Sequence, residues 1–218
     1  MNQAKYPIFL LSFPNEYLMA ATFMRFQEHY ESPEFRGRVF DLETFMDWYA
    51  GEHDGFTYFE DWGGFNLPDA ALRPFFEGRF DPLTRKETAL LDLFRRVPPP
   101  YYVIAGENDE NVAHEIVHGL FYVVPEYGRA VRECLKRYEL SKAWRALEEI
   151  GYSSAVFDDE VNAYCLTGLY DGLKAAKRTL KAARRELAKI FESFFGFEPR
   201  PKNWPKLLAM VHQVKFKY

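Results

Sequence analysis

Two histidines, His114 and His118, stand four residues apart in an otherwise mostly apolar run, Val112-Ala113-His114-Glu115-Ile116-Val117-His118-Gly119-Leu120-Phe121. No other pattern restricts the chain as strongly. The run suits a buried helix. On a helix this spacing puts both rings on one face, about 6 Å apart at Cβ, so both reach a single metal ion. Glu115 lies about 100° further round, at the edge of that face, where it reaches water beside the ion without being a ligand. A buried glutamate flanked by two histidines is hard to satisfy without a metal. The competing reading is a buried helix with two structural histidines and a surface glutamate.

The residues around the motif predict its setting. Tyr101–Ala105 is β-branched and aromatic and reads as a strand that delivers the chain into the helix. Upstream, Ile8–Phe13 reads as a buried strand. Asn15 opens a helix to about Tyr30, with Tyr17, Leu18, Ala21, Phe23, Met24 and Phe26 as core positions. Arg38–Phe40 is expected to form a short strand, and Asp41 to cap a helix reaching about Ala50. Residues 51–81 are rich in glycine, proline and aromatic residues and read as an irregular segment packed over the core. Thr84 and Glu87 form a capping box for a helix over 83–97.

Downstream of the motif, helices are expected over 127–138 and 141–150, the latter stopped by Gly151. A further helix is capped by Asp158, and Gly168 and Gly172 interrupt it. A long helix to about Phe194 follows, carrying a solvated basic stripe of Lys174, Lys177, Lys181, Arg184 and Arg185. The tail folds as a short helix with a strand near 214–216. The expected fold is mainly helical α+β, with a small mixed sheet whose edge strand precedes the motif helix. It forms one domain over 1–218. Residues 1–100 form an αβ portion with the aromatic segment, 101–195 a helical core, and 196–218 a tail.

The pattern His-Glu-x-x-His is that of zinc hydrolases in which the glutamate is general base. A catalytic zinc has three protein ligands and one open position. The metzincin extension fails, because Phe121 and Val124 stand where glycine and histidine belong. Over the motif helix and one later helix, the chain resembles the gluzincins, the thermolysin-like zinc peptidases. That resemblance implies one Zn²⁺ per chain and a glutamate ligand from a later helix. Two glutamates compete. Glu139 has an interval close to the usual one, but sits among charged residues at a junction. Glu160 is further along, in the first turn of a helix whose next turn offers the small Ala163, and is favoured. Asp159 is a candidate to orient a ligand histidine, or simply a helix-N-terminal acid. Tyr152, Tyr164 and His212 are candidate transition-state stabilisers, and no spacing selects among them. The resemblance further implies that the strand before the motif helix pairs with an extended peptide. His29 and His53 have no partner at ligand spacing.

The function these residues point to is a zinc-dependent metallopeptidase, with a peptide or protein as its substrate. The alternatives are a peptidase-like binding or structural protein without hydrolytic activity, and a hydrolase of non-peptide amides or esters. A net charge of −4 gives no field for nucleic acid. No segment approaches the ~20 apolar residues of a membrane span. Cys134 and Cys165 form no Cys-x-x-Cys pair and read as buried free thiols, which fits a cytoplasmic, reducing setting.

Overall fold

Four strands form one sheet in the order β2 (Gly64–Pro68), β3 (Tyr102–Gly106), β1 (Ile8–Ser12), β4 (His212–Lys215). The computed structural model describes residues 5–149, 152–168, 173 and 176–218. β1 runs parallel to β3 and β4, with Phe9 opposite both Val103 and His212. β2 runs antiparallel to β3, with Phe65 opposite Ala105. Because strand side chains alternate, the sheet divides the interior. Ile8, Leu10, Tyr102 and Ile104 face one core, and Leu11, Tyr101, Val103 and Ala105 face the other.

The first core is filled by α6 (Asp109–Val123), α7 (Pro125–Leu135), α8 (Ser141–Glu149), α9 (Phe157–Thr167), α10 (Lys177–Phe195) and α11 (Trp204–Ala209). The second lies under α1 (Glu16–Glu31), α2 (Leu42–Glu52), α4 (Asp69–Phe76) and α5 (Arg85–Phe94), with Tyr58 of the short α3 (Tyr58–Asp61). The fold is therefore mainly helical α+β with a small mixed sheet. Among the described residues, no helix is long and apolar enough to cross a membrane.

Several expectations are corrected. The strand before the motif helix is not an edge strand: β3 lies between β2 and β1, and its Tyr102–Ala105 are buried. Residues 51–81 are not irregular throughout, because they contain α3, β2 and α4. Glycine and proline are tolerated at the ends of an edge strand such as β2. Arg38–Phe40 forms no strand. Tyr17 is 56% exposed rather than core. α9 begins one residue before Asp158, after a 3₁₀ turn over Ser154–Val156, and has no side-chain cap. Asn15, Asp41 and the Thr84–Glu87 capping box cap their helices as expected. Lys177, Lys181, Arg184 and Arg185 are exposed on α10. Ile150, Gly151, Gly172 and Lys174 lie outside the described residues.

Glu87 does more than cap α5. Both it and Arg25 of α1 are 3% exposed. The Arg25 guanidinium donates through Nε and Nη2 to the two Glu87 carboxylate oxygens, each at 2.6 Å. It also donates to the Phe80 and Pro82 carbonyls.

Candidate metal centre

α6 is held to the sheet by local chemistry. The Asn108 side chain caps it by accepting from the Glu110 and Asn111 amides. Asp109 and Glu110 in its first turn complement the helix dipole. Val112, Ala113, Ile116, Val117 and Leu120 enter the first core. Gly119 permits the close approach, since a Cβ there would meet Ile8 Cδ1 at 2.9 Å. α9 packs across α6, with Ala163 fully buried in the first core. On α9 the residues 160, 164 and 167 recur at helical spacing on one face. That face turns toward the two histidines.

The predicted ligands converge. His114 Nε2 and His118 Nε2 are 3.0 Å apart. Glu160 Oε2 lies 3.8 Å from His114 Nε2, and Oε1 lies 3.6 Å from His118 Nε2. Four atoms held tetrahedrally about 2.0–2.1 Å from a zinc ion stand roughly 3.3–3.4 Å from one another, so this donor set fits such an ion. Glu139 is excluded from the site, because it accepts from the Ser141 amide and hydroxyl at the start of α8.

The outer nitrogens fix the tautomers. His118 Nδ1 is 3.0 Å from Asp159 Oδ2, the orienting contact expected of Asp159. His114 Nδ1 is 3.1 Å from Thr167 Oγ1, whose own proton goes to the Ala163 carbonyl at 2.8 Å. The threonine oxygen therefore accepts, and the His114 proton sits on Nδ1. Both Nε2 lone pairs then face the same point, which is repulsive unless a cation lies between them. Glu160 Oε2 is buried with no hydrogen-bond partner. Burial opposes charging His118, but the Asp159, Glu160 and Glu115 carboxylates outweigh it and hold the imidazole well above its ordinary range. A metal ion bound here would compensate the same carboxylates in place of a proton.

Thr167 was not anticipated, although its spacing from Glu160 places it on the same helix face. Second partners of this kind typically change metal affinity 10–100-fold. Thr167→Val keeps the shape and removes the acceptor. It is expected to weaken zinc binding by about that factor in competition with a chromogenic chelator. Unchanged affinity would show that the hydroxyl does not orient His114.

Glu115 borders a cleft of about 510 Å³ that is also lined by His114, Trp62, Gly64, Tyr152 and Tyr164. Its Oε2 is buried without a hydrogen-bond partner. Burial raises the carboxyl above its ordinary value, while His118 and His114 pull it back. Gly64 leaves room for it, since a Cβ there would stand 2.5 Å from Glu115 Oε1. Tyr152 and Tyr164 are both at the cleft, their hydroxyls 3.4 Å apart. The Tyr164 ring lies 4.6 Å from that of His114. His212 is not at the cleft: it sits on β4, at the far edge of the sheet, and stacks on Phe9. His29 is buried, with Nδ1 on the Arg38 carbonyl, and His53 stacks on Tyr49. No family model matches this chain, and comparison with curated proteins and with solved structures finds no similar one.

Proposed function

We propose that this chain is a zinc-dependent metallopeptidase. In this reading His114, His118 and Glu160 hold the ion, Glu115 is the general base, and a peptide is the substrate. The observation that carries the reading is the convergence of three donor atoms from α6 and α9 beside a buried carboxylate oxygen without a partner. A divalent ion bound there supplies Lewis-acid polarisation and brings the pKa of water near 7.

The chain's own residues supply the rest. Glu115 takes a proton from the water that attacks the carbonyl carbon and returns it to the leaving amine as the carbon–nitrogen bond breaks. Burial favours its protonated form, which suits a group that must hold the proton between the two transfers. Asp159 and Thr167 keep the ligand imidazoles in the tautomer that leaves Nε2 free. Tyr152 and Tyr164 bring hydroxyls to the cleft and are the candidates to donate to charge developing on the carbonyl oxygen.

Main-chain docking falls to β2 rather than to β3. Asn66 donates its amide outward, to Gln27 Oε1. In an antiparallel pair the pattern repeats every second residue, so the Gly64 amide and carbonyl also point away from β3, beside the cleft. Cys134 and Cys165 are both free and buried, which is compatible with work inside the cell.

Elemental analysis of the purified chain is expected to find about one zinc per molecule. Chelation is expected to abolish cleavage of a peptide library, and added zinc to restore it. A chain without a bound divalent ion, or with cleavage indifferent to chelation, would overturn the assignment. Metal without cleavage would favour a binding protein.

A further inference from the structure

A second cavity, of about 590 Å³, adjoins the metal cleft and shares Trp62 and Tyr152 with it. α1 contributes Glu28 and Glu31, three residues apart and so on one helix face. α2 contributes Trp48, Tyr49 and Glu52. Five glutamates line this space, and no lysine or arginine does so among the described residues.

Glu28 is the telling residue. It is only 8% exposed, yet it borders the cavity, and no cationic group pairs with it among the described residues. Its polar neighbours are the hydroxyls of Tyr58 and Ser32. Burial pushes its carboxyl up to about 7, the mark of a carboxylate stripped of water without a compensating charge. Among the described residues Glu31 accepts a hydrogen bond from Gln27 Nε2 at 2.6 Å and forms no ion pair, although it also feels Glu160 and His118 of the neighbouring site. Glu34 is occupied by Arg38. The one lining residue able to carry positive charge, His53, lies flat on the Tyr49 ring at 3.9 Å. Trp48 and Trp62 add aromatic rings, whose faces attract a desolvated cation and whose area suits an alkyl stem.

We propose that this cavity is a substrate subsite for the cationic side chain, arginine guanidinium or lysine ammonium, of a peptide whose main chain lies in the metal cleft. Glu28 and Glu31 receive the charge, and the Trp48 and Trp62 rings enclose the stem. The inference rests on the peptidase reading for its main-chain placement. A side chain is specified rather than an α-amine because the space lies beyond the shared Trp62–Tyr152 wall, so the charge has to arrive on a long stem.

The test compares three probes titrated by calorimetry into the full chain, both zinc-free and zinc-loaded. They are Nα-acetylarginine amide, Nα-acetylcitrulline amide, which replaces the guanidinium with a neutral urea of nearly the same shape, and alanine amide, which carries only an α-ammonium. The arginine probe is expected to bind roughly tenfold or more tighter than either of the others, as for a charged hydrogen-bonded contact. Glu28→Gln is expected to remove that preference. Glu52→Gln, exposed and safe for folding, is expected to reduce it by a smaller factor, and Glu43→Gln, exposed on α2 and outside the cavity lining, to leave it unchanged. Equal binding of the arginine and citrulline probes, tighter binding of alanine amide, or a full preference in folded Glu28→Gln would overturn the assignment. If zinc and cleavage are found but no arginine preference, the cavity assignment fails alone. Arginine preference in a chain that neither holds zinc nor cleaves peptide would sink the peptidase reading and the substrate role together.

Discussion

A chain carrying Glu115→Gln is expected to keep one zinc ion, melt no lower than the parent, and cleave peptide about 10²–10⁴-fold more slowly, the usual contribution of a general base. At 1.36 kcal/mol per tenfold, that is roughly 3–5 kcal/mol of lost transition-state stabilisation. The amide is isosteric with the carboxylate and keeps an oxygen on the cleft side, but it cannot take a proton. Fold and metal are spared because Glu115 is not among the converging donors and the amide keeps the shape of the side chain. Neutralising Glu115 also removes the cost of burying its charge, which raises its carboxyl and which His118 and His114 offset only in part. Turnover measured beside zinc content and a melting curve separates the possibilities. Full activity in the variant would remove Glu115 from the chemistry. Lost zinc would make it part of the metal's support.

The second large effect is on stability. Arg25→Ala is expected to destabilise the protein by about 3–5 kcal/mol, because it leaves the Glu87 carboxylate buried without its partner. For a chain of this size that corresponds to a fall in melting temperature of roughly 6–20 °C. The pair joins α1 to α5 across 62 residues of sequence, and the guanidinium also satisfies the Phe80 and Pro82 carbonyls. Glu87→Gln keeps a side-chain oxygen for the Thr84 amide, which the carboxylate now holds at 2.7 Å, while removing the charge. It leaves the buried Arg25 charge uncompensated, however, and is expected to cost a comparable amount in a urea titration. Equal small effects from both would mean that the pair contributes little beyond the packing of its stems.

The parts of the site legible in the sequence were those encoded locally. His114, Glu115 and His118 declare themselves by helical spacing within one apolar run. Glu160 could be preferred over Glu139 because the small Ala163 and the acidic first turn lie on its own helix. Asp159 came with it as a neighbour. What escaped was tertiary. Thr167 has nothing to mark it until α9 is laid on α6. Arg25 and Glu87 are far apart in sequence, and the capping box accounted for Glu87 too readily. β2 was hidden because glycine and proline at its ends look like loop punctuation. The misplacement of β3 had a readable clue, since Tyr-Tyr-Val-Ile-Ala shows no polar alternation, as expected of a strand covered on both faces. The acidic cavity could not be seen in one dimension, because its walls come from separate helices and the segment around Trp62.

Gln27 links two of these features. Its Oε1 takes the outward Asn66 amide of β2, and its Nε2 reaches Glu31. A sheet margin with an unsatisfied donor is a template on which copies of a chain can zip together. One side chain from α1 blunts that margin at Asn66 and leaves Gly64 clear. In the proposed reading, resistance to self-assembly and access for an extended guest would lie two residues apart on the same strand.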